Sequence, residues 1–550
     1  MHATPDVEPA TPIWRESQWW VHPVLVSALF ATLLYAITLG GTYIYDDEHI
    51  VRIDPRVSDV SKWKYFWTGD YWGGNIDHLY RPLVSQSYGL QWWLHGDRPW
   101  AFHLVNILLH AAVTAAVAEL ARRLAGRTAA WIAGLLFAVL PIHAEAVAGI
   151  VGRAELACTG FVCLSLLLFL HRPLTRPRAV AISLCALCAA LSKEQGMLMP
   201  VLLLLLGWAT RRQSESPAEK EATGWLIIGL AWPAAALIVI REFVLKLTFE
   251  WDAGLLDDTI NPLIFSHARD RVLMVFSIIG RYAQLTLFPL HLSIDYGWGV
   301  LSDRASLADP YLYAGMLVTL FMIGALLFAW RRGREGRGHG PRQNQHCVPY
   351  LIIFCLLATM LTYGMVSNVL IIGTIFGERL MYLPSVFLLI ALGMAVMHVP
   401  RKMLIGGMTV ALLLSAVRLE TYIARWNDAV AFERYCLTIH PRSVKLHQLL
   451  VGDLLQQNRT DEARVAALDG VQQAPDSWNT WDTAGLVYIR TGEFPKAVEM
   501  FQHALDIRPV ASIGAQLQYV KYEMVQAHPR HLATATPSVA SPATVPLTQP

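Results

Sequence analysis

The sequence predicts an all-α protein: a polytopic bundle of about eleven or twelve membrane-spanning helices followed by a short C-terminal helical repeat domain. Three observations predict it. The 550 residues are 54% hydrophobic and only 16% charged, where soluble domains carry about 25% charged residues. Apolar runs of helical length recur through the first three quarters of the chain. After Arg425 the hydropathy drops and a 34-residue period takes over, with Pro441, Pro475 and Pro509 marking it.

The apolar runs lie near 22–41, 101–121, 128–142, 156–171, 178–192, 196–209, 224–241, 272–291, 311–330, 348–363, 380–398 and 403–418. The first begins near Val21 and is long enough to span, so a cleavable secretory signal is not expected. Basic residues set the orientation. Arg122, Arg123 and Arg127, then Arg172, Arg176 and Arg178, then Arg211 and Arg212, alternate correctly if the N-terminal segment 1–20 is cytoplasmic. Arg331, Arg332, Arg334 and Arg337 join that side only if 272–291 is re-entrant or lies along the surface, and Arg401 and Lys402 follow. This leaves eleven spans and puts loops 42–100, 143–155, 193–195, 242–310 and 364–379 outside, with everything after about residue 419.

The period at the C-terminal end is that of a tetratricopeptide repeat. Trp481, Gly485, Tyr488, Gly492, Phe494, Ala497, Phe501, Ala504 and Pro509 stand where large and small residues interlock two antiparallel helices. The preceding repeat, about 444–477, keeps Leu450, Leu454 and Ala463 but replaces the glycine and aromatic positions. Residues 511–525 read as a capping helix, and two repeats are few for independent stability. The expected domains are therefore 21–424, the membrane bundle, and 425–527, the repeats, with a disordered Pro-, Thr-, Ala- and Ser-rich tail at 528–550.

A net charge of +2 gives no support to nucleic-acid binding. Cys185 and Cys188 form a C-x-x-C inside an apolar helix, where packing is the simpler explanation than redox or zinc chemistry. No phosphate-binding loop, zinc-protease signature, nucleophile elbow or dinucleotide fingerprint occurs in a supporting context.

What stands out is ionisable residues at the ends of apolar spans, where charge is costly to keep. Asp46 and Asp47 follow the first span; either is a loop residue or helix cap, or a base that takes a proton from an acceptor hydroxyl. Arg81, in Tyr80-Arg81-Pro82-Leu83, can grip a phosphate or pair with an acid. The block Pro141–Glu155 embeds His143, Glu145, Arg153 and Glu155 in almost wholly apolar sequence. His143 and Glu145 have no third ligand at metal-binding spacing, so hydrogen bonding in a polar cavity is expected and no metal is called for. Lys193 and Glu194 interrupt two apolar runs, as a plain hairpin or as a headgroup contact. Asp295 follows the ambiguous 272–291 run, and Glu378 and Arg379 open another, able to neutralise one another.

Taken in order, these residues resemble the transmembrane-and-tetratricopeptide protein O-mannosyltransferases, a branch of the GT-C membrane glycosyltransferases. The likeness runs to about residue 525. It rests on Asp46-Asp47, the YRPL motif at 80–83, the 141–155 block, Ser192-Lys193-Glu194-Gln195-Gly196, Asn261-Pro262, Leu292–Tyr296, Ser367-Asn368, Glu378-Arg379 and Tyr382–Ser385. The resemblance implies transfer of a sugar, mannose by analogy, from a polyprenyl (dolichyl) phosphate to Ser or Thr of a protein on the lumenal or periplasmic face. Asp46 or Asp47 would be the base. Arg81, His143, Glu145, Arg153, Glu155, Lys193, Glu194, Asp295, Glu378 and Arg379 would bind donor phosphate or substrate, with no obligatory cofactor beyond the lipid-linked sugar. The expected partners are that lipid, the surrounding membrane, and an acceptor protein held by the repeats. Relatives carry long repeat arrays, whereas this chain has about two. The alternative is a non-catalytic membrane-anchored scaffold, against which the ionisable clusters argue.

Overall fold

The computed structural model describes residues 22–73, 79–210, 216–240, 259–335 and 348–530. The described residues are all-α, and the chain divides into two compact units: Met1–Leu256, Leu263–Ile294 and Asp303–Asp428, and then Asp257–Pro262, Asp295–Ser302 and Ala429–Pro550. The expected cytoplasmic segment 1–20 and the tail beyond Arg530 lie outside the described residues.

The longer helices of the first unit are α1 (Pro23–Tyr35), α2 (Pro82–His95), α3 (Pro99–Ala125), α4 (Arg127–Val139), α5 (Arg153–Leu170), α6 (Arg176–Ser192), α7 (Met199–Ala209), α8 (Pro217–Val239), α9 (Ala268–Leu287), α10 (Pro310–Glu335), α11 (Val348–Gly364), α12 (Tyr382–Ala395) and α13 (Arg401–Ile423). Proline at the first turn opens many of them, where its missing N–H costs nothing. Among the described residues six helical stretches are long and apolar enough to cross a membrane: Pro23–Gly40, Pro99–Ala125, Ile150–Leu170, Pro310–Glu335, Glu378–His398 and Arg401–Asn427. The pair Arg127–Val139 and Pro141–Ala148, bent by 54°, makes up to seven, and Glu194–Ala209 and Val348–Gly364 are shorter apolar helices. The chain is a multi-pass membrane protein. Of the other expected runs, 178–192 lies in the 17-residue helix α6, 224–241 overlaps the 23-residue apolar helix α8, and one falls in a more polar helix.

The run expected at 272–291 is the last of these. Helix α9 carries Asp270, Arg271 and Arg281 and lacks the apolar window of a span. It packs along α10 at a crossing of two glycines. A Cβ on Gly280 would collide with the Tyr311 carbonyl, and one on Gly315 with the Phe276 carbonyl. Arg281 reinforces the contact through Asp309 (3.4 Å) and the Tyr311 ring (4.3 Å).

The block 141–155 folds as a broken elbow. Two 3-10 turns, Pro141–His143 and Ile150–Gly152, flank the short helix Ala144–Ala148, and every residue of 141–155 is buried. Gly152 allows the return, since a side chain there would strike the Ala146 backbone.

The second unit is built of α14 (Ala429–Ile439), α15 (Val444–Gln456), α16 (Thr460–Gln473), α17 (Trp478–Arg490), α18 (Phe494–Ile507) and α19 (Ala511–Arg530). Leu450, Leu454, Ala463, Ala467, Ala484, Tyr488, Ala497, Phe501 and Ala504 form its core. Gly485 lies against the Phe501 ring, as the small-large interlock requires. The weaker repeat keeps its turn by substitution: Asn458 has φ 60 where Gly492, 34 residues on, has φ 74. Asparagine is the residue after glycine that best tolerates the left-handed region.

Asp295 is a member of this unit. Its carboxylate accepts from Ser443 Oγ (2.7 Å) and Gly297 N–H (3.2 Å), while Ser443 Oγ caps α15 by accepting from Leu446 N–H (3.1 Å). The loop stretches 257–262 and 295–302, expected with the membrane domain, belong to this unit.

Gly315→Val should separate α9 from α10, with the cost of forced overpacking, about 1–3 kcal/mol or more. The expected outcome is a lower midpoint of thermal unfolding in detergent, whereas Gly324→Val, on the same helix with open space around it, should leave the midpoint near that of the wild type.

Candidate active site

An ionic cluster assembles from four separate stretches of the first unit. Tyr45, at φ 59, holds a left-handed conformation that is costly for a bulky residue and turns the chain between the two aspartates and the first span.

Asp47 points inward. Its carboxylate accepts from the backbone N–H groups of Val151 (2.8 Å), Ile150 (3.1 Å) and Ile44 (3.4 Å). It thereby ties the first loop to the 141–155 elbow. Burial pushes its pKa up to about 7, against the opposing pull of those three amides.

Asp46 points to the rim. Its Oδ2 accepts from both terminal nitrogens of Arg379, each at 3.2 Å. The same guanidinium reaches Glu145 through Nε (3.2 Å) and lies 3.9 Å from Glu155, and the Arg379 backbone N–H donates to Glu145 (2.9 Å). Glu155 in turn accepts from Lys193 Nζ at 2.5 Å. Arg81 pairs with Glu194 through two bonds (2.9 and 3.3 Å), with its guanidinium over the Tyr71 ring at 5.1 Å. Side-chain exposure separates the members by depth. Lys193, Glu155 and Glu145 are 4–5% exposed, whereas Asp46 is 12%, Arg81 15%, Arg379 22% and Glu194 28%. Asp46, Arg379, Arg81 and Glu194 are therefore the more exposed members, backed by the buried layer.

The remaining predicted residues are placed elsewhere. Arg153 is a strut: it donates to Asn106 Oδ1 (3.0 Å), Ser87 Oγ (3.2 Å) and the Phe102 carbonyl (3.2 Å), and lies over the Tyr88 ring at 4.7 Å. It is 2% exposed, so its charge is directed at protein groups. His143 bonds Ser385 Oγ (2.8 Å) and the Phe137 carbonyl (3.0 Å) inside a box of Phe137, Tyr382 and His110 rings. Glu378 accepts from the Ser293 N–H at 2.8 Å. Asp295 lies with the repeats, as described above. No group of three or more His, Cys, Asp or Glu suited to a metal ion occurs among the described residues.

Two further side chains support the site. Asn106 donates to the Gly149 and Ile150 carbonyls (3.0 and 3.1 Å), fixing the elbow from α3; a lone amide in an apolar helix was the available signal. Arg56 is gripped by Asp54 (2.7 Å) and donates to the carbonyls of Asp70 and Tyr71 (2.8 Å each), which shapes the loop that carries Tyr71 under Arg81. Nothing in the spacing of 54 and 56 marks them.

A multi-pass helix bundle with a buried ionic network and an accessible carboxylate–guanidinium rim defines the class, and sequence relatives narrow it. The family described as dolichyl-phosphate-mannose-protein mannosyltransferase matches residues 82–239, the stretch holding His143, Glu145, Arg153, Glu155, Lys193 and Glu194. Protein O-mannosyl-transferase TMTC2 of Mus musculus is 38% identical over 187 residues, covering 32% of this chain and 22% of that one. Protein O-mannosyl-transferase F38B6.6 of Caenorhabditis elegans is 25% identical over 454 residues, 80% of this chain and 60% of that one. The chain thus spans about a fifth of the first relative and three fifths of the second. A crystal structure of ArnT from Cupriavidus metallidurans bound to undecaprenyl phosphate aligns over 88% of this chain and 80% of that one, with 16% identity and a TM-score of 0.37. The resemblance to the transmembrane-and-tetratricopeptide O-mannosyltransferases carried by the motifs is shown by these sequence matches.

The shifted carboxyl predicts a pH dependence. An acid whose folded pKa lies above its unfolded value binds its proton more tightly in the folded state, so folding loses stability as pH rises between the two. For Asp47 that window runs from about 3.8 to about 7. Thermal unfolding of Asp47→Asn should therefore show a shallower decline of stability than the wild type from about pH 5 to about pH 7.

Proposed function

We propose that the protein transfers a sugar from a polyprenyl-phosphate donor to a Ser or Thr hydroxyl of a protein acceptor, with mannose the sugar its relatives' names favour. The observation that carries this reading is a partly exposed carboxylate, Asp46, paired with Arg379 in front of the buried Glu145, Glu155 and Lys193, with a second partly exposed cation, Arg81, held by Glu194.

Asp46 is the group assigned to proton removal. The acceptor hydroxyl oxygen attacks the sugar C1 while the bond from C1 to the phosphate oxygen breaks with inversion, and the hydroxyl proton passes to Asp46. The lipid phosphate leaves as an anion and needs no proton, since its second pKa is about 6. Arg81 and Arg379 are the cations that can exchange a carboxylate for that phosphate. Asp47, with both oxygens taken by backbone amides, positions Asp46. The rim position of Asp46 supports giving it this role over Asp47, even though a pKa near neutrality suits a base. The basic-loop pattern supports a cytoplasmic N-terminal end with site and repeats on the opposite face.

The test uses purified chain, a radiolabelled polyprenyl-phosphate mannose and a Ser/Thr peptide. Asp46→Asn should lower kcat by about 10²–10⁴-fold while still accumulating in membranes. Arg81→Gln should weaken use of the lipid donor, read as a raised KM. Full transfer by Asp46→Asn would remove the base assignment, and absence of transfer in the wild type with every polyprenyl-phosphate sugar tried would favour the scaffold.

A further inference from the structure

The repeat unit holds a second set of polar groups, which the ionic site does not use. The 34-residue period puts Gln448, Asp482 and Gln516 at one position of three successive helices, α15, α17 and α19. Asn479 stands one turn before Asp482 on the same helix face, and Gln448 Nε2 donates to Asn479 Oδ1 at 3.1 Å, which joins two helices into one surface.

Three atoms of this set are closed off from solvent and lack a hydrogen-bond partner: Asn479 Nδ2, Asp482 Oδ1 and Gln516 Oε1. Asn479 is 6% exposed. Each such atom costs about 1–3 kcal/mol if nothing bonds it, and native folds leave few. Three of them, two on one helix and the third at the repeat-equivalent position of the next, point to a missing ligand. Asn479 also lines a cavity of about 160 Å³ with Thr259, Trp298, Asp476, Ser477, Trp478, Ile507 and Arg508, in which the two tryptophans and Ile507 supply the apolar wall. That is well below the ~300–1,000 Å³ of small-molecule and cofactor sites and suits a single apolar side chain.

We propose that this face binds an extended polypeptide segment carrying a lysine or arginine, with the cation on Asp482, a backbone carbonyl on Asn479 Nδ2 and a backbone N–H on Gln516 Oε1. An adjoining apolar side chain enters the cavity between Trp298 and Trp478. Charge complementarity selects this occupant. Two of the three unpartnered atoms are acceptors and one belongs to a carboxylate, so the ligand must bring donors and is favoured when one is cationic. Burial raises the Asp482 carboxyl to about 7 with no neighbouring cation offsetting it, and a bound cation would supply that offset. The proposal rests on the transferase reading only in naming this segment as the acceptor, with basic residues near the modified Ser or Thr.

Binding of fluorescein-labelled Ser/Thr peptides to the full chain in nanodiscs tests it, by anisotropy and with no lipid donor present, so that a failure of sugar transfer does not touch the readout. Three peptides differ only in carrying lysines, glutamines or glutamates at the same positions. The lysine peptide should bind tightest, and Asp482→Asn, which keeps the shape of the side chain, should weaken it about tenfold. Asp482→Lys should reverse the order in favour of the glutamate peptide, a gain that unfolding cannot produce. Equal binding of the three peptides by the wild type would overturn the proposal, as would an unchanged affinity in Asp482→Asn.

Discussion

The carboxylate of Asp47 is the tie on which the site depends. It collects three backbone N–H groups from two stretches about a hundred residues apart, Ile44 on one and Ile150 and Val151 on the other. These bonds offset part of the cost of burying the carboxyl, and they fix the first loop against an elbow whose backbone is not regularly helical. The geometry of the candidate site follows from that junction. Asp46 is presented at the rim because its neighbour is anchored, and Glu145 and Glu155 stand behind Arg379 because the elbow returns sharply at Gly152.

The arrangement also explains why three acids and two cations can share so small a volume. Asp46, Glu145 and Glu155 converge on Arg379, and Lys193 offsets the deepest acid. An unpaired charge buried there would be prohibitive, so removing one partner exposes another. Under the proposed function, an incoming anion would compete for Arg379 at its partly exposed end, with Glu145 and Glu155 still behind it. Arg81 and Glu194 form a separate pair with the same logic, at the end of the elements that Arg56 and Tyr71 shape.

Much of this was legible in the sequence, and the reasons it was legible are physical. Ionisable residues inside apolar runs are expensive, so His143, Glu145, Arg153, Glu155 and Lys193 announce themselves by being there at all. The repeats announce themselves by period, since each pair of helices must meet the next in the same way. What the sequence could not convey is who pairs with whom. Arg379 and Asp46 lie 333 residues apart, and no spacing rule connects them. Arg153 reads as a phosphate ligand by type and turns out to brace Asn106 and Ser87. Asp46 and Asp47 are indistinguishable by composition; backbone curvature at Tyr45 sends one inward and one to the rim. The re-entrant or surface reading of 272–291 rests on charge outside that segment, whereas helix α9 carries its own polarity.

Asp295 makes the same point in the repeat unit, and shows how a short array is completed. Terminal repeats need a partner for the face that a neighbour would cover. Here Asp295 holds the N-cap of α15 through Ser443, the Trp298 carbonyl accepts from the Val444 N–H (3.2 Å), and the Trp298 N–H donates to the Thr259 carbonyl (2.7 Å). Two loop stretches from far upstream thereby occupy the end of the first repeat. A residue expected among the donor or substrate contacts is thus part of the end-cap. The same loops bring Thr259 and Trp298 to the cavity beside Asn479, so the segments that complete the array also form one wall of the surface left with unpartnered polar atoms.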